Sequence, residues 1–134
     1  MLHGEGEHVF ECRQLTNDPD RFAWVFTAPD ATLYQGGRAV ARNAAQNVFE
    51  ATEDRSTVSG SPRSQQDGGS NNLPWVLMRA QSTQDEGLFA GVTSVQRVNT
   101  TGGVAPDTAC GADNAGQEAR SPFSADFYFY RRVG

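Results

Sequence analysis

The chain has no lysine, no isoleucine, only two cysteines and only two histidines, and it has no long apolar run. Each shortage narrows the chemistry. Without lysine there is no Schiff-base nucleophile, no P-loop lysine and no Ser–Lys dyad. All eleven basic residues are arginine, and with the missing isoleucine this fits a GC-rich coding sequence. With only His3 and His8, a histidine-based catalytic triad would have to recruit the beginning of the chain. No Gly-x-Ser-x-Gly elbow is present. No segment approaches the roughly 18 apolar residues of a membrane span. Positive charge is short as well. The formal net charge is −5 and the pI about 4.9, which argues against nucleic-acid and membrane-surface partners. No cofactor motif stands out.

What is present suits one globular domain of 134 residues, 37% of them hydrophobic. Cys12 and Cys110 lie one near each end, without Cys-x-x-Cys spacing. They are expected to form a single disulfide across a small extracellular β domain. Met1 to His8 is polar, acidic and spaced by glycine. It reads as a flexible N-terminal arm over residues 1–8, followed by a β domain over 9–134. The expected location is secreted or periplasmic, with a signal peptide already removed.

Strand composition recurs along the domain. Val9 to Arg13 and Phe22 to Phe26 read as strands, with turns at Asn17–Asp20 and Pro29-Asp30. Gly36-Gly37 marks a hairpin break. The Ala-rich stretch Asn43–Ala51 is the one candidate short helix. Ser59–Asn72, rich in Ser, Gly, Gln and Asn, predicts a long mobile loop. Leu73–Met78 is a continuous apolar run that predicts a strand buried on both faces. Phe89 to Val98 follows as a strand, and Asp107–Ser121 as a second loop. The last segment alternates cleanly, with Phe123, Ala125, Phe127 and Phe129 on one face and Ser124, Asp126, Tyr128 and Tyr130 on the other. Short strands separated by turns predict an all-β fold, an antiparallel sandwich or barrel with at most one short helix.

Several side chains are candidates for a site. His3 and His8, with Glu5 and Glu7, carry metal-ligating chemistry, although the arm looks too flexible for a rigid metal site. The scattered carboxylates, such as Glu53-Asp54 and Asp85-Glu86, read as solvated turns. Trp24 and Trp75 read as core. Arg97, flanked by Val95 and Val98, predicts an ion pair with Asp126 or Glu50, or else an anion site. Asp126, Tyr128 and Tyr130, with Arg132, form an amphipathic platform if their face is open. Arg97, Asp126, Tyr128 and Tyr130 are therefore the candidate ligand-binding set.

Phe10-Glu11-Cys12, Trp24 to Leu33, Pro74 to Met78, Gln96 to Cys110 and Tyr128 to Tyr130 together resemble a family of secreted bacterial and fungal proteins, domain of unknown function 3455. The Gln-Arg-Val-x-Thr-x-Gly-Gly-x-Ala-Pro run from Gln96, followed by Cys110, is the most specific of these motifs. The resemblance implies export and a β fold, and carries no activity with it. One departure stands out. Where the family pattern reads Gly-x-His-x-x-Gly-Pro-x-Trp-Glu, residues 41–50 here have lost the His, Gly and Pro, and Phe49 stands at the Trp. The resulting expectation is a secreted, non-catalytic β domain that binds an extracellular ligand or protein, with carbohydrate or a small aromatic or anionic molecule as ligand. The alternatives are a carboxylate- or metal-dependent extracellular enzyme and a structural envelope or coat protein.

Overall fold

A computed structural model describes residues 1–132. Eight strands run antiparallel in chain order: β1 (Leu2–Leu15), β2 (Asp18–Gln35), β3 (Arg38–Ala45), β4 (Val48–Ala51), β5 (Thr57–Gln66), β6 (Trp75–Ser82), β7 (Val92–Gly102) and β8 (Glu118–Arg131). Each pairs with its neighbour, and β1 pairs with β8 from Leu2↔Phe127 to Glu11↔Glu118, closing a barrel. The all-β expectation holds. Among the described residues the one helical piece is a 3-10 turn at Ala112–Asn114.

Alternation decides what fills the barrel. On β8, Phe123, Ala125 and Phe127 are buried inside, and Phe129 packs against the same core. Phe49 meets Phe127 and Phe129 edge-on, with both ring centroids at 5.2 Å.

The first eight residues are not a flexible arm. Residues 2–8 are the first half of β1, hydrogen-bonded to β2 on one side and β8 on the other. Gly4 and Gly6 are there for packing. A Cβ on Gly6 would lie 2.2 Å from the Asp30 carbonyl oxygen, and one on Gly4 would lie 2.7 Å from the Phe127 ring. Two flanking ladders offset the entropy cost that glycine brings to a strand.

Other expectations are corrected by the same closure. Asn43–Ala51 is the β3–β4 hairpin, turning at Asn47 with φ 59. Alanine's helix propensity yields to the barrel, which needs small inward residues at Ala41 and Ala51 beside the bulky Phe49. Most of Ser59–Asn72 belongs to β5. Its outer residues bury little, yet the β6 ladder runs from Val58↔Ser82 to Gln66↔Trp75. Pro62 is tolerated because β5 pairs with β4 only up to Ser59, so beyond that point one edge needs no donor. Pro29-Asp30 does not turn the chain; both lie inside β2. The run to Met78 is half-buried, since Leu77 is 43% exposed between buried Val76 and Met78. Neither tryptophan joins the central core.

The two ends differ. The end holding the β4–β5 and β6–β7 connections is closed by Phe89. Its N–H donates to Ser56 Oγ at 3.1 Å, Leu88 N–H donates to Asp54 at 2.9 Å, and Arg131 Nε donates to the Ala90 carbonyl at 2.6 Å. The opposite end is bordered by the β3–β4 turn and by the long β7–β8 connection. Cys12 and Cys110 form the predicted disulfide, with Cα atoms 5.6 Å apart across a separation of 98 residues. It fixes that connection to β1. Gly116 N–H to the Cys12 carbonyl (2.7 Å) and Trp24 Nε1 to the Thr108 carbonyl (2.7 Å) add to the attachment.

Candidate ligand-binding site

At this second end the barrel is not filled. A cavity of about 390 Å³ remains inside it. An eight-stranded barrel is just wide enough to be filled by side chains or to hold one small ligand, and here the end opposite the Phe89 cap keeps room for one. Five phenylalanines stand in the cavity wall: Phe10 from β1, Phe26 from β2, Phe49 from β4, and Phe123 and Phe127 from β8. Gln46, Asn47, Val104 and Ala105 come from the bordering turns.

Two basic side chains interrupt the apolar wall. His8 is buried between the rings of Phe26 and Phe123, at centroid distances of 4.8 and 4.4 Å. Burial, and then the positive charge of Arg97, push its pKa down to about 4, so it is neutral at pH 7. Arg97, from β7, donates Nε and Nη2 to the Pro74 carbonyl at 3.2 and 2.9 Å. Among the described residues no carboxylate pairs with it, and burial depresses its pKa. No Asp or Glu lines the cavity. Asn43 is buried in the wall. Its Nδ2 donates to the Ala45 and Val48 carbonyls (3.0 and 2.8 Å), leaving its carbonyl oxygen as an acceptor.

The barrel wall divides the residues singled out from the sequence. Arg97 faces inward. Asp126, Tyr128 and Tyr130 alternate with the buried β8 residues and lie outside. The expected Arg97–Asp126 pair is therefore absent, and Glu50 pairs with Arg55 at 3.7 Å instead. The tyrosines do form an open outer surface. Their rings stack at 6.4 Å, and Tyr130 Oη donates to Gln96 Oε1 at 2.9 Å. Asp126 is engaged by His3 Nδ1 (2.8 Å) and Asn99 Nδ2 (3.0 Å). Burial raises its carboxyl, but those two hydrogen bonds outweigh it and leave the pKa below the ordinary value. The two histidines are separated in the same way, His3 outside and His8 inside, so they cannot share a metal ion. Among the described residues no group of three or more His, Cys, Asp or Glu side chains could hold a metal ion. Glu53 pairs with Arg38 at 2.6 Å, and Asp54 accepts backbone N–H groups at the closed end.

The sequence reading placed His8 on a flexible arm with metal-ligating chemistry and missed the Phe rings around it. The signal was there: Leu2, Gly4, Gly6, His8, Phe10 and Cys12 recur with period two and share the inner face. Residues 41–50, where the resemblance finds the family's His and Trp replaced, supply Asn43, Gln46, Asn47 and Phe49 to the wall.

The family described as Protein of unknown function (DUF3455) matches residues 43–131, about two thirds of the chain. The chain belongs to this family. Most of the cavity wall, Arg97 included, comes from the segment matched to the family, whereas His8, Phe10 and Phe26 come from strands before it. No curated protein and no solved structure matches the chain.

Proposed function

We propose that the chain is an exported, non-catalytic barrel that takes one small, mostly apolar molecule into its interior. The observation that carries this reading is the cavity of about 390 Å³ left inside the barrel at the end opposite the Phe89 cap. Its size falls in the range of ordinary small-molecule pockets, and a few polar groups in an apolar wall are their usual composition. The disulfide favours an oxidising compartment. The outer face carries Glu7, Asp30, Arg42 and Arg120 in one ion-paired cluster at mid-strand, where a membrane barrel would present apolar side chains to lipid. Among the described residues no helix is long and apolar enough to cross a membrane.

A neutral fluorescent probe, N-phenyl-1-naphthylamine, tests the reading. The expected result is saturable enhancement at one probe per chain, lost in Val104→Trp, which narrows the opening, while that variant keeps its melting temperature. Absence of any enhancement with folded protein removes the interior site. Binding that survives Val104→Trp and disappears in a Tyr128→Ala/Tyr130→Ala variant moves the site to the stacked tyrosines outside.

A further inference from the structure

We infer that the natural occupant of the cavity is a small organic monocarboxylate, with its carboxylate on Arg97 and its apolar body among the phenylalanine rings. This rests on reading the cavity as a ligand site.

The case begins with the unused donors of Arg97. A guanidinium carries five N–H groups. Nε and Nη2 both reach one acceptor, the Pro74 carbonyl. That uses two donors and leaves the remaining N–H groups without a protein acceptor among the described residues. The side chain is half-buried, faces the cavity, and has no carboxylate partner. Taking a cation part of the way out of water without a counter-charge is costly. If Arg97 served only to hold the Pro74 carbonyl, a neutral donor would serve as well at lower cost. The fork of a guanidinium suits two-pronged recognition of a carboxylate.

Charge balance narrows the class. With no acid in the wall and His8 neutral, the cavity holds one positive charge. A single negative charge matches it, whereas a phosphate dianion would leave charge uncompensated. His8 adds a hydrogen-bonding group without adding charge. Polarity narrows it again. The remaining polar side chains of the wall are Asn43, Gln46 and Asn47, too few for the many hydroxyls of a sugar. Flat rings on several sides favour a planar body. About 390 Å³ equals roughly a dozen water volumes at ~30 Å³ each. That is room for a single-ring acid.

The experiment is calorimetric titration at pH 7 with 3-phenylpropionate, its neutral amide 3-phenylpropanamide, and phenyl phosphate. The acid is expected to bind at least about thirtyfold tighter than the amide, the scale of hydrogen bonds to a charged group. Arg97→Gln should bring the acid down to the amide's affinity without changing the amide. Should Arg97→Gln fail to fold, Arg97→Lys decides. An ammonium keeps the charge and loses the fork, so the acid should weaken about tenfold and the amide not at all. Equal affinity of acid and amide for the wild type overturns the carboxylate inference and leaves the interior site standing. Tighter binding of phenyl phosphate overturns the single-charge argument. Undiminished acid binding in Arg97→Lys removes Arg97 as the head-group partner. Failure of all three compounds where the neutral naphthylamine still binds overturns this inference alone; failure of that probe too removes the cavity as a ligand site.

Discussion

His3 and His8 sit on the same strand, five residues apart, and face opposite sides of the barrel wall. Outside, His3 has Asp126 at 2.8 Å and Glu5 at 3.2 Å. The Asp126 hydrogen bond is the main cause that raises its pKa; burial opposes it, and Glu5 adds to the rise. Inside, His8 has two aromatic rings and a half-buried arginine, and its pKa falls to about 4. An odd separation on a strand puts two residues on opposite faces, and the wall then supplies each with a different medium. The outer face is wet, charged and ion-paired. The inner face is aromatic and holds one unpaired cation.

The largest effect expected from this difference is on packing. Phe127, inside, should lose about 3–5 kcal/mol on replacement by Ala, whereas Tyr128, its outward neighbour, should lose under about 1 kcal/mol. Urea unfolding of the two variants measures both. Equal losses would mean that the two faces are not distinct at that position.

Next comes the pH dependence set by His8. The unfolded ring titrates near 6.5 and the folded ring near 4. Above pH 6.5 neither state is protonated and His8 has no effect. Between pH 6.5 and 4 the unfolded chain binds a proton that the folded chain refuses, so stability falls as pH falls. A shift of that size corresponds to about 3 kcal/mol. His8→Phe should flatten this part of the stability–pH curve. An unchanged curve in that variant would show that the His8 ring is solvated.

The smallest effect belongs to His3 and has the opposite sign. Its folded pKa is raised, so its contribution is complete below pH 6.5 and is lost as pH rises through the folded value. The pair is partly exposed and screened by solvent, and should contribute well under 1 kcal/mol, less in high salt. Asp126→Asn should lower the His3 pKa, followed by NMR, toward its ordinary value. A His3 that titrates as before would mean Asp126 is not its partner in solution.

Much of the fold was legible because it rests on period two and on turn chemistry. The clean alternation of Phe123 to Tyr130 fixed which face of β8 is buried. The isolated cysteines announced their bridge. The segments misread were those whose composition mimics something else. Gly4 and Gly6 looked like a flexible arm because close approach to Ala31 and Phe127 is a property of neighbours distant in sequence. Asn43–Ala51 looked helical because alanine is a good helix former, yet Ala44 and Ala45 are exposed on the β3–β4 hairpin and Ala51 is buried inside the barrel. Ser61–Gln66 looked mobile because its stability comes from the β6 ladder rather than from burial.

By itself the sequence determined an all-β chain, a disulfide, a family and the individual candidates Arg97, Asp126, Tyr128, Tyr130, His3 and His8. Only the tertiary structure decided which of them share a compartment. Barrel closure fixes the register between strands far apart in the chain, and register determines which side of the wall each side chain occupies. That is why Arg97 stands with His8 in an aromatic cavity while Asp126 stands outside with His3.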